Sequence, residues 1–522
     1  MPSRVIRLQD ITEAVLSYNP QTDTDIIWKA YIFCAKVHRG QTRLSGSPYL
    51  FHPIEVAYIL SQMHLDSYMV AAGLLHDTVE DTHCTLEEIQ EIFGEEMAFL
   101  VDGVTKISRI VFASSEERQA ETFRKMLLAM ASDIRVILIK LADRLHNMRT
   151  IAYMSPFKQH KMARETLDIY AAIAHRLGIG WIKAELENTS FQCLYPEEYS
   201  KIQVKLEKGL EERGCFIKEI QEAVMAELKE SGIQGRVEGR PKQPYSIYRK
   251  MKNQGLEFDR VHDLRALRII TDTVRNCYAV LGIIHSCWWP IPGKFKDYIA
   301  LPKPNKYQSL HTTVIGSKGE RIEFQIRTEE MHQLSEEGIA AHWRYKEGLI
   351  RDEKYEERMQ WLRHLLEWQQ ELKDPKEFID ALKIDLFPEE VYVFTPKGDV
   401  KNFSRKATPI DFAYSIHTDI GNQCIGAKIN GRMVSLAYQL KNGDTVEILT
   451  SPNRKPNRDW LKFVQTAKAK ARIRSCIKAE QKERGRELGQ EILEKQLQRH
   501  HLGTGTVLKT KEKALNEVSR HL

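Results

Sequence analysis

Through the first part of the chain, up to about Leu194, apolar residues recur every three or four positions: ITEAVLSY, DIIWKAYIFCAKVHRG, HPIEVAYILSQM, SYMVAAGLLHDTVEDT, IRVILIKLADRLHNMRT and TLDIYAAIAHRLGIG. That interval places the apolar side chains on one helical face, and the polar connections between segments are short, so the pattern predicts an all-helical domain over residues 1–195. From Tyr195 to about Lys346 the period becomes mixed. A helix (IQVKLEKGLEERG) precedes strand-like runs in DLRALRIIT, HTTVIG and RIEFQIRT, and SKGE at 317–320 reads as a hairpin turn, giving an α/β domain over 196–346. A charged helical stretch, RDEKYEERMQWLRHLLEWQQELKD, forms a linker at 347–385. Short strands around one helix near PIDFAYSIH then suggest a β-grasp module over 386–452, followed by a basic helical region at 453–522. The fold class expected is therefore multidomain α+β.

Composition changes this picture little: at 522 residues, 42% hydrophobic and 28% charged, the chain is an ordinary globular one of several domains. No apolar run approaches the roughly 20 residues of a membrane span, and MPSRVIRLQD lacks a signal-peptide core, so a cytoplasmic location without membrane contact is expected. The eight cysteines form no close CxxC pair and are expected to be buried thiols rather than disulfides or a zinc knuckle. Charge is more informative by position than in sum. The net +6 lies entirely after Lys455, where 16 Lys and Arg face 8 acids, against 61 and 63 upstream. A polyanion such as RNA is the partner expected for that tail.

In the helical domain His52, the adjacent pair His76 and Asp77, and Asp143 each lie in or at the end of an apolar helix, where a bundle brings side chains to one point in its core. Imidazole with carboxylate suits Mn, Fe or Zn and a metal-activated water, and phosphate-ester hydrolysis is the obvious use. Glu80 and Asp81 follow four residues after His76 and Asp77, on the same face if the helix continues, as acid and base groups beside the metal. For His52 before Pro53 a helix start is the plain alternative. Arg43 and the run from Asp143 to Thr150 offer groups for a phosphate or base edge, whereas Arg144 and Arg149 taken singly read as surface ion pairs.

No GxxxxGK[ST] occurs, so a nucleotide triphosphate in the second domain must be held by side chains. Arg240, Lys242, Arg249, Lys250 and Lys252 in one segment, and Lys294, Lys296, Lys303 and Lys306 in another, are interleaved with Tyr245, Tyr248, Tyr298 and Tyr307, which suggests phosphate contact with base stacking. Asp263 and Glu323, on separate strands, are placed to share a Mg²⁺, with Glu323 also activating an attacking hydroxyl.

The motifs YLFHP, LLHDTVEDT, KLADRLHNMRT, GRPKQPYSIYRKM, KFKDYIALPKPNKYQSLHTTV, IEFQIRTEEMH, EVYVFTPKGDV and AYSIHTDIG, in that order over about residues 25–475, resemble the RelA/SpoT homologue family of bacterial alarmone enzymes. The resemblance implies an HD-type hydrolase, a nucleotidyltransferase-like synthetase and a TGS module. It implies transfer of pyrophosphate from ATP to the 3′-hydroxyl of GDP or GTP, making ppGpp or pppGpp, and removal of that 3′-pyrophosphate. In hydrolysis Mn²⁺ would sit on His52, His76, Asp77 and Asp143, Glu80 and Asp81 would manage water and protons, and Arg43 and Asn147 would grip the nucleotide. In synthesis Arg240, Lys242 and Lys250 would clamp ATP and Tyr307 would stack on guanine. Asp263 and Glu323 would hold Mg²⁺, and Lys296, Lys303, Asn305, Gln308 and His311 fall in the acceptor segment. His417 matches a contact to the end of uncharged tRNA, though alone it reads as a packing or turn residue.

Three departures stand out. Lys294 replaces the family's usual Arg in Arg-x-Lys-Asp, losing its fork. Leu44 stands where a Lys is common. The Cys-rich zinc-binding module and ACT domain of the long forms are not among these residues. The main expectation is a bifunctional synthetase and hydrolase with reciprocally switched sites. The alternatives are a hydrolase-dominant enzyme with a weak synthetase, and a ribosome- or tRNA-binding regulator acting through the β-grasp module and tail.

Overall fold

The computed structural model describes residues 5–108, 133–208, 210–258, 265–303, 305–316, 319–338, 390–452 and 454–499. The chain falls into two compact units, Met1–Leu366 and Glu367–Leu522. The linker at 347–385 and Asp263 lie outside the described residues.

The first unit begins with helices α1 (Leu8–Tyr18), α2 (Asp25–Val37), α3 (Phe51–Gln62), α4 (Ser67–Leu75), the single turn α5 (Thr78–Asp81), α6 (Leu86–Phe93), α7 (Glu95–Ser108), α8 (Ile134–Arg149), α9 (Pro156–Glu165), α10 (Ala171–Arg176) and α11 (Gly180–Leu194). Asp66 caps α4 by accepting from Met69 N at 2.7 Å, and Asp133 caps α8 by accepting from Arg135 N at 2.8 Å. Every α4 residue except Tyr68 is buried, so α4 is a central helix, with α2 and α3 packed on it. Gly73 is what permits the close approach to α3: a Cβ there would lie 2.5 Å from Leu60 Cδ1 and 3.4 Å from Ala57 Cα. The sequence leaves open whether the helix carrying His76 runs on to Asp81. It does not: α4 stops before His76, and Glu80 and Asp81 sit on the separate turn α5.

Helices α12 (Pro196–Lys208) and α13 (Leu210–Glu230) lead into a sheet of β1 (Gly235–Gly239), β2 (Ala266–Thr271), β3 (Trp289–Pro290), β4 (Lys296–Asp297), β5 (Leu310–Ile315) and β6 (Arg321–Thr328), interrupted by α14 (Pro244–Gln254) and α15 (Val274–Cys287) and followed by α16 (Glu329–Glu337). The order is β1-β2-β6-β5-β3 with β4 on β5, and β2 and β6 are parallel. Strand alternation sorts the two faces. Leu267, Ile269, Leu310, Val314, Ile322, Phe324 and Ile326 pack with Phe216, Ile220, Val224 and Leu228 of α13 and Cys277, Val280 and Ile284 of α15. The intervening Arg268, His311, Glu323, Gln325 and Arg327 belong to the opposite, polar face. β5 and β6 pair as the expected hairpin, with Gly319 at φ +77°, although Ser317 and Lys318 are outside the described residues.

The second unit holds β7 (Glu390–Phe394) paired with β8 (Val400–Ser404), α17 (Pro409–Ile416), α18 (Thr418–Asn422), a β10-β9-β11 sheet of β9 (Cys424–Ile429), β10 (Arg432–Val434) and β11 (Val446–Thr450), and the long α19 (Ala467–Arg499). Buried Asp411 ties α17 to the start of α19: its carboxylate accepts from Thr408 N at 2.8 Å, Gln465 N at 3.1 Å and Thr466 N at 2.6 Å. All eight cysteines are free. Cys215 and Cys287 are exposed, which corrects the expectation of uniformly buried thiols. Among the described residues no helix is long and apolar enough to cross a membrane.

Candidate active sites

In the helical domain α3, α4 and α8 converge. His52 stands in the first turn of α3, His76 and Asp77 at the end of α4, and Asp143 in the middle of α8. All four are buried. His52 Nε2 lies 3.2 Å from Asp77 Oδ2 and 3.4 Å from Asp143 Oδ1; His76 Nε2 lies 3.0 Å from Asp77 Oδ1 and 4.0 Å from Asp143 Oδ1. Donor atoms of His52, His76 and Asp143 all fall within 4.8 Å of one another, as metal ligands must. Both Nε2 atoms are buried with no hydrogen bond of acceptable geometry. His76 Nδ1 is 2.8 Å from Gly73 O, to which it donates, leaving the Nε2 lone pair facing the site. Two imidazoles with unpartnered nitrogens facing two carboxylates are a donor set that fits a divalent cation.

The electrostatics agree. Burial raises the cost of an ionised Asp77, but the His76 and His52 imidazoles outweigh it and hold its carboxyl well below the usual range. For Asp143 the offsetting charge is chiefly Lys140, whose Nζ lies 2.6 Å from Oδ2, and that carboxyl too is held far down. Burial opposes the His76 cation, but Asp77 reverses the balance and raises its pKa, so without a metal a proton competes for the Nε2 position that a divalent cation would take.

Arg43, in the loop before α3, donates to Asn147 Oδ1 at 3.1 Å, and Asn147 Nδ2 donates to Asp143 Oδ1 at 2.5 Å. The predicted nucleotide grip thus touches a predicted metal ligand through one amide. Asp81 is joined to the site by Tyr49, whose hydroxyl contacts it and Asp77 Oδ2 (2.9 Å). Glu80 is exposed on α5. Arg149 pairs with Glu185 at 2.6 Å, as its position suggests. Arg144 pairs with Glu165 but is largely buried beneath that contact, over the Tyr170 ring at 4.2 Å, and so is not a surface pair. Sequence reasoning passed over Tyr49 and Lys140, and took His146 only as one member of the run from Asp143 to Thr150. The spacing held the signal for two of them, since Lys140 and His146 stand one turn to either side of Asp143 on α8.

On the polar face of the sheet, Glu323 and His311 meet with 3.7 Å between Oε1 and Nδ1. The strand register sets Lys296 opposite His311 and His311 opposite Gln325. Gln325 Nε2 donates to Glu323 Oε1 at 3.0 Å, and Gln325 Oε1 accepts from Arg327 Nη2 at 3.2 Å. Tyr307 and His311 share a hydrogen bond of 2.7 Å, and the Tyr307 ring lies near two cations, Lys303 at 5.0 Å and Arg327 at 5.3 Å. His311 is held well below its ordinary pKa by burial and by Lys303, Arg327, Arg240 and Lys296 around it. Three of those four cations are sequence-predicted; Arg327, almost fully buried, is not.

Asn305 accepts from Tyr307 N at 3.3 Å and donates to His175 O of α10 at 3.3 Å, so the acceptor segment touches the helical domain. Gln308 Nε2 is spent on Ile299 O. Lys242 and Lys250 are half-buried just before and on α14. Tyr245 and Tyr248 are used otherwise than the sequence suggests: they pack with Phe191, Tyr195 and Tyr199 in an aromatic cluster, Tyr248 stacking on Phe191 at 4.6 Å. In the second unit His417 caps α18, its Nδ1 accepting from Asp419 N at 3.2 Å, with the ring exposed.

Three family models match in order: HD domain over residues 30–180, region found in RelA / SpoT proteins over 239–349, and TGS domain over 391–450. The chain is 56% identical over 501 residues to the GTP pyrophosphokinase of Myxococcus xanthus, covering 95% of this chain and 66% of that one. It is 49% identical over 493 residues to the guanosine-3′,5′-bis(diphosphate) 3′-pyrophosphohydrolase of Aquifex aeolicus, covering 94% and 70%. To the bifunctional (p)ppGpp synthase/hydrolase SpoT of Escherichia coli it is 46% identical over 486 residues, covering 93% and 69%. It thus spans about two thirds of the length of these relatives. With an HD domain holding a buried divalent-metal donor set, a RelA/SpoT-type α/β domain and a TGS domain in that order, the chain belongs to the RelA/SpoT family.

Proposed function

We propose that the chain is a bifunctional alarmone enzyme, synthesising ppGpp and pppGpp in the α/β domain (196–346) and hydrolysing them in the helical domain (1–195). The observation that carries this reading is that one compact unit holds both a buried His52, His76, Asp77, Asp143 donor set and a separate cluster of cations around His311, which meets Glu323. The relatives' names supply both directions.

In synthesis the 3′-oxygen of GDP or GTP attacks the β-phosphorus of ATP; the new P–O bond forms as the bond to the α-phosphate oxygen breaks, and AMP leaves. Glu323 takes the hydroxyl proton. Arg240, Lys242 and Lys250 hold ATP, while Lys296, Lys303 and His311 line the acceptor site with Asn305 and Gln308. Tyr307 stacks on guanine. Mg²⁺ held by Asp263 and Glu323 would neutralise the transferring phosphates. In hydrolysis, Mn²⁺ held by the four-residue set would polarise the 3′-pyrophosphate and activate water. Arg43 and Asn147 orient the nucleotide; the water oxygen adds to the phosphorus joined to the 3′-oxygen, that P–O(3′) bond breaks to give pyrophosphate and GDP or GTP, and Glu80 and Asp81 carry the water proton to the departing 3′-oxygen.

The TGS domain and basic tail, with His417 exposed, are assigned to uncharged tRNA and the ribosome, and the enzyme to the cytoplasm. The test is direct. ATP with GDP or GTP and Mg²⁺, and separately ppGpp with Mn²⁺, are given to the intact chain, His76→Ala and Glu323→Ala. Each substitution should abolish only its own direction; loss of both, or of neither, would overturn the assignment.

A further inference from the structure

The sequence offers His146 only as one of a run of groups for a phosphate or base edge, and the comparisons give it no role, yet it is buried at the centre of the hydrolase site. Its Nδ1 lies 2.6 Å from Nδ1 of His52 and 3.5 Å from Nη1 of Arg43. The arginine settles the proton positions. A guanidinium only donates, so the His146 Nδ1 it faces must carry a lone pair. The one proton between the two imidazoles then belongs to His52 Nδ1. In a neutral His52 this leaves the lone pair on Nε2, the atom between Asp77 and Asp143 that has no hydrogen-bond partner. Had His146 donated instead, His52 would carry its proton on Nε2, and that nitrogen could not bind a cation.

We propose that His146 is a positioning residue of the hydrolase site: its Nδ1 lone pair fixes the metal-binding tautomer of His52 and holds Arg43 against the same cluster. This rests on the hydrolase reading above. Each end of the Arg43 guanidinium then meets a ligand-bearing relay, through His146 to His52 and through Asn147 to Asp143. Metal binding and the placing of the nucleotide-gripping arginine are therefore linked, and a change at His146 reaches both.

The metal ion is the probe. Mn²⁺ is titrated calorimetrically into the metal-stripped full chain for wild type, His76→Ala, His146→Leu and His146→Asn; Asn places an acceptor Oδ1 where the imidazole carries Nδ1. His146→Leu should bind Mn²⁺ about 10- to 100-fold more weakly, the usual effect of losing a ligand's outer hydrogen-bond partner. His146→Asn should recover most of that loss, which a merely space-filling role would not produce. Leu binding as tightly as wild type, or Asn as weakly as Leu, overturns the proposal. Undiminished binding by His76→Ala would instead overturn the metal site itself. Should the variants fail to fold, imidazole ¹⁵N shifts of histidine-labelled, metal-stripped wild type decide the matter: His52 protonated on Nδ1 supports the proposal, and His52 protonated on Nε2 overturns it.

Discussion

Lys140 is a buried cation one helical turn before a predicted metal ligand, and its removal should have opposite consequences with and without the ion. Its ammonium lies 2.6 Å from Asp143 Oδ2, and both side chains are less than a tenth exposed. At an effective dielectric of about 20 the attraction at that separation is roughly 6 kcal/mol, set against a desolvation cost of several kcal/mol for each ion. In Lys140→Met the helix propensity and volume hardly change, but Asp143 is left as an uncompensated buried charge beside Asp77. Breaking a buried pair in this way costs about 3–5 kcal/mol, and the metal-stripped protein should be less stable by that order. A divalent cation held by His52, His76, Asp77 and Asp143 would supply a compensating positive charge, so most of the loss should disappear in its presence.

By linkage, recovering about 2–3 kcal/mol on metal binding means that Mn²⁺ binds the variant about 30- to 150-fold more tightly than wild type. The assay is urea denaturation followed by tryptophan fluorescence, with Trp28 and Trp181 as reporters in the helical domain, in excess chelator and in saturating Mn²⁺. Equal destabilisation in both conditions would refute the reasoning, because Lys140 would then serve packing rather than charge balance. No destabilisation in chelator would refute it as well, since Asp143 would not need a counter-charge.

Other predictions follow from single contacts. Gly338, at φ +61°, meets the backbone of Leu177, Gly178 and Ile179, with which a Cβ would clash; Gly338→Ala should therefore loosen the contact between the helical and the α/β domain and lower the temperature at which the chain begins to unfold in calorimetry, and an unshifted profile would count against this. Burial and the cations Lys183, Lys303, Arg249 and Arg176 push the His175 pKa down to about 3, so between about pH 3 and the unfolded value near 6.5 the folded state binds fewer protons and loses stability as the pH falls. The share of that loss owed to His175 should reach roughly 2 kcal/mol at pH 5, so the fall in stability between pH 7.5 and 5.0 should be smaller by about that amount in His175→Gln than in wild type, as read from denaturation midpoints, and an equal fall in both would count against it. Arg327→Lys should release the Gln325 amide that orients Glu323, lowering the rate of synthesis about tenfold, the worth of roughly one hydrogen bond, while hydrolysis is unchanged; a fall in both directions would mean a folding defect instead.

What the sequence made legible, and what it hid, divide along a physical line. Helical periodicity and strand alternation follow from burial, which acts on every residue of an element, so the helical domain, the alternation of RIEFQIRT and the short helix near PIDFAYSIH could be read directly. The buried candidate set of His52, His76, Asp77 and Asp143 could be read for a related reason, since ionisable groups inside apolar helices need a purpose. The partners that hold those groups were not legible, because a partner is specified by distance in three dimensions. Tyr49 reaches Asp77 across 28 positions, and His146 reaches His52 across 94. Tyr245 and Tyr248 show the converse error. Interleaving with lysines made them look like stacking surfaces, but Phe191 on another helix had already claimed them. The break before His76 is of the same kind, because only the packing of α4 against α3 and α8 shows that the chain must turn there to aim both His76 and Asp77 inward. Where a charge sits can be inferred from sequence; what neutralises it is decided by the fold. The more informative variants of this protein are therefore those of Lys140, His146 and Arg327, which stand behind the motifs rather than in them.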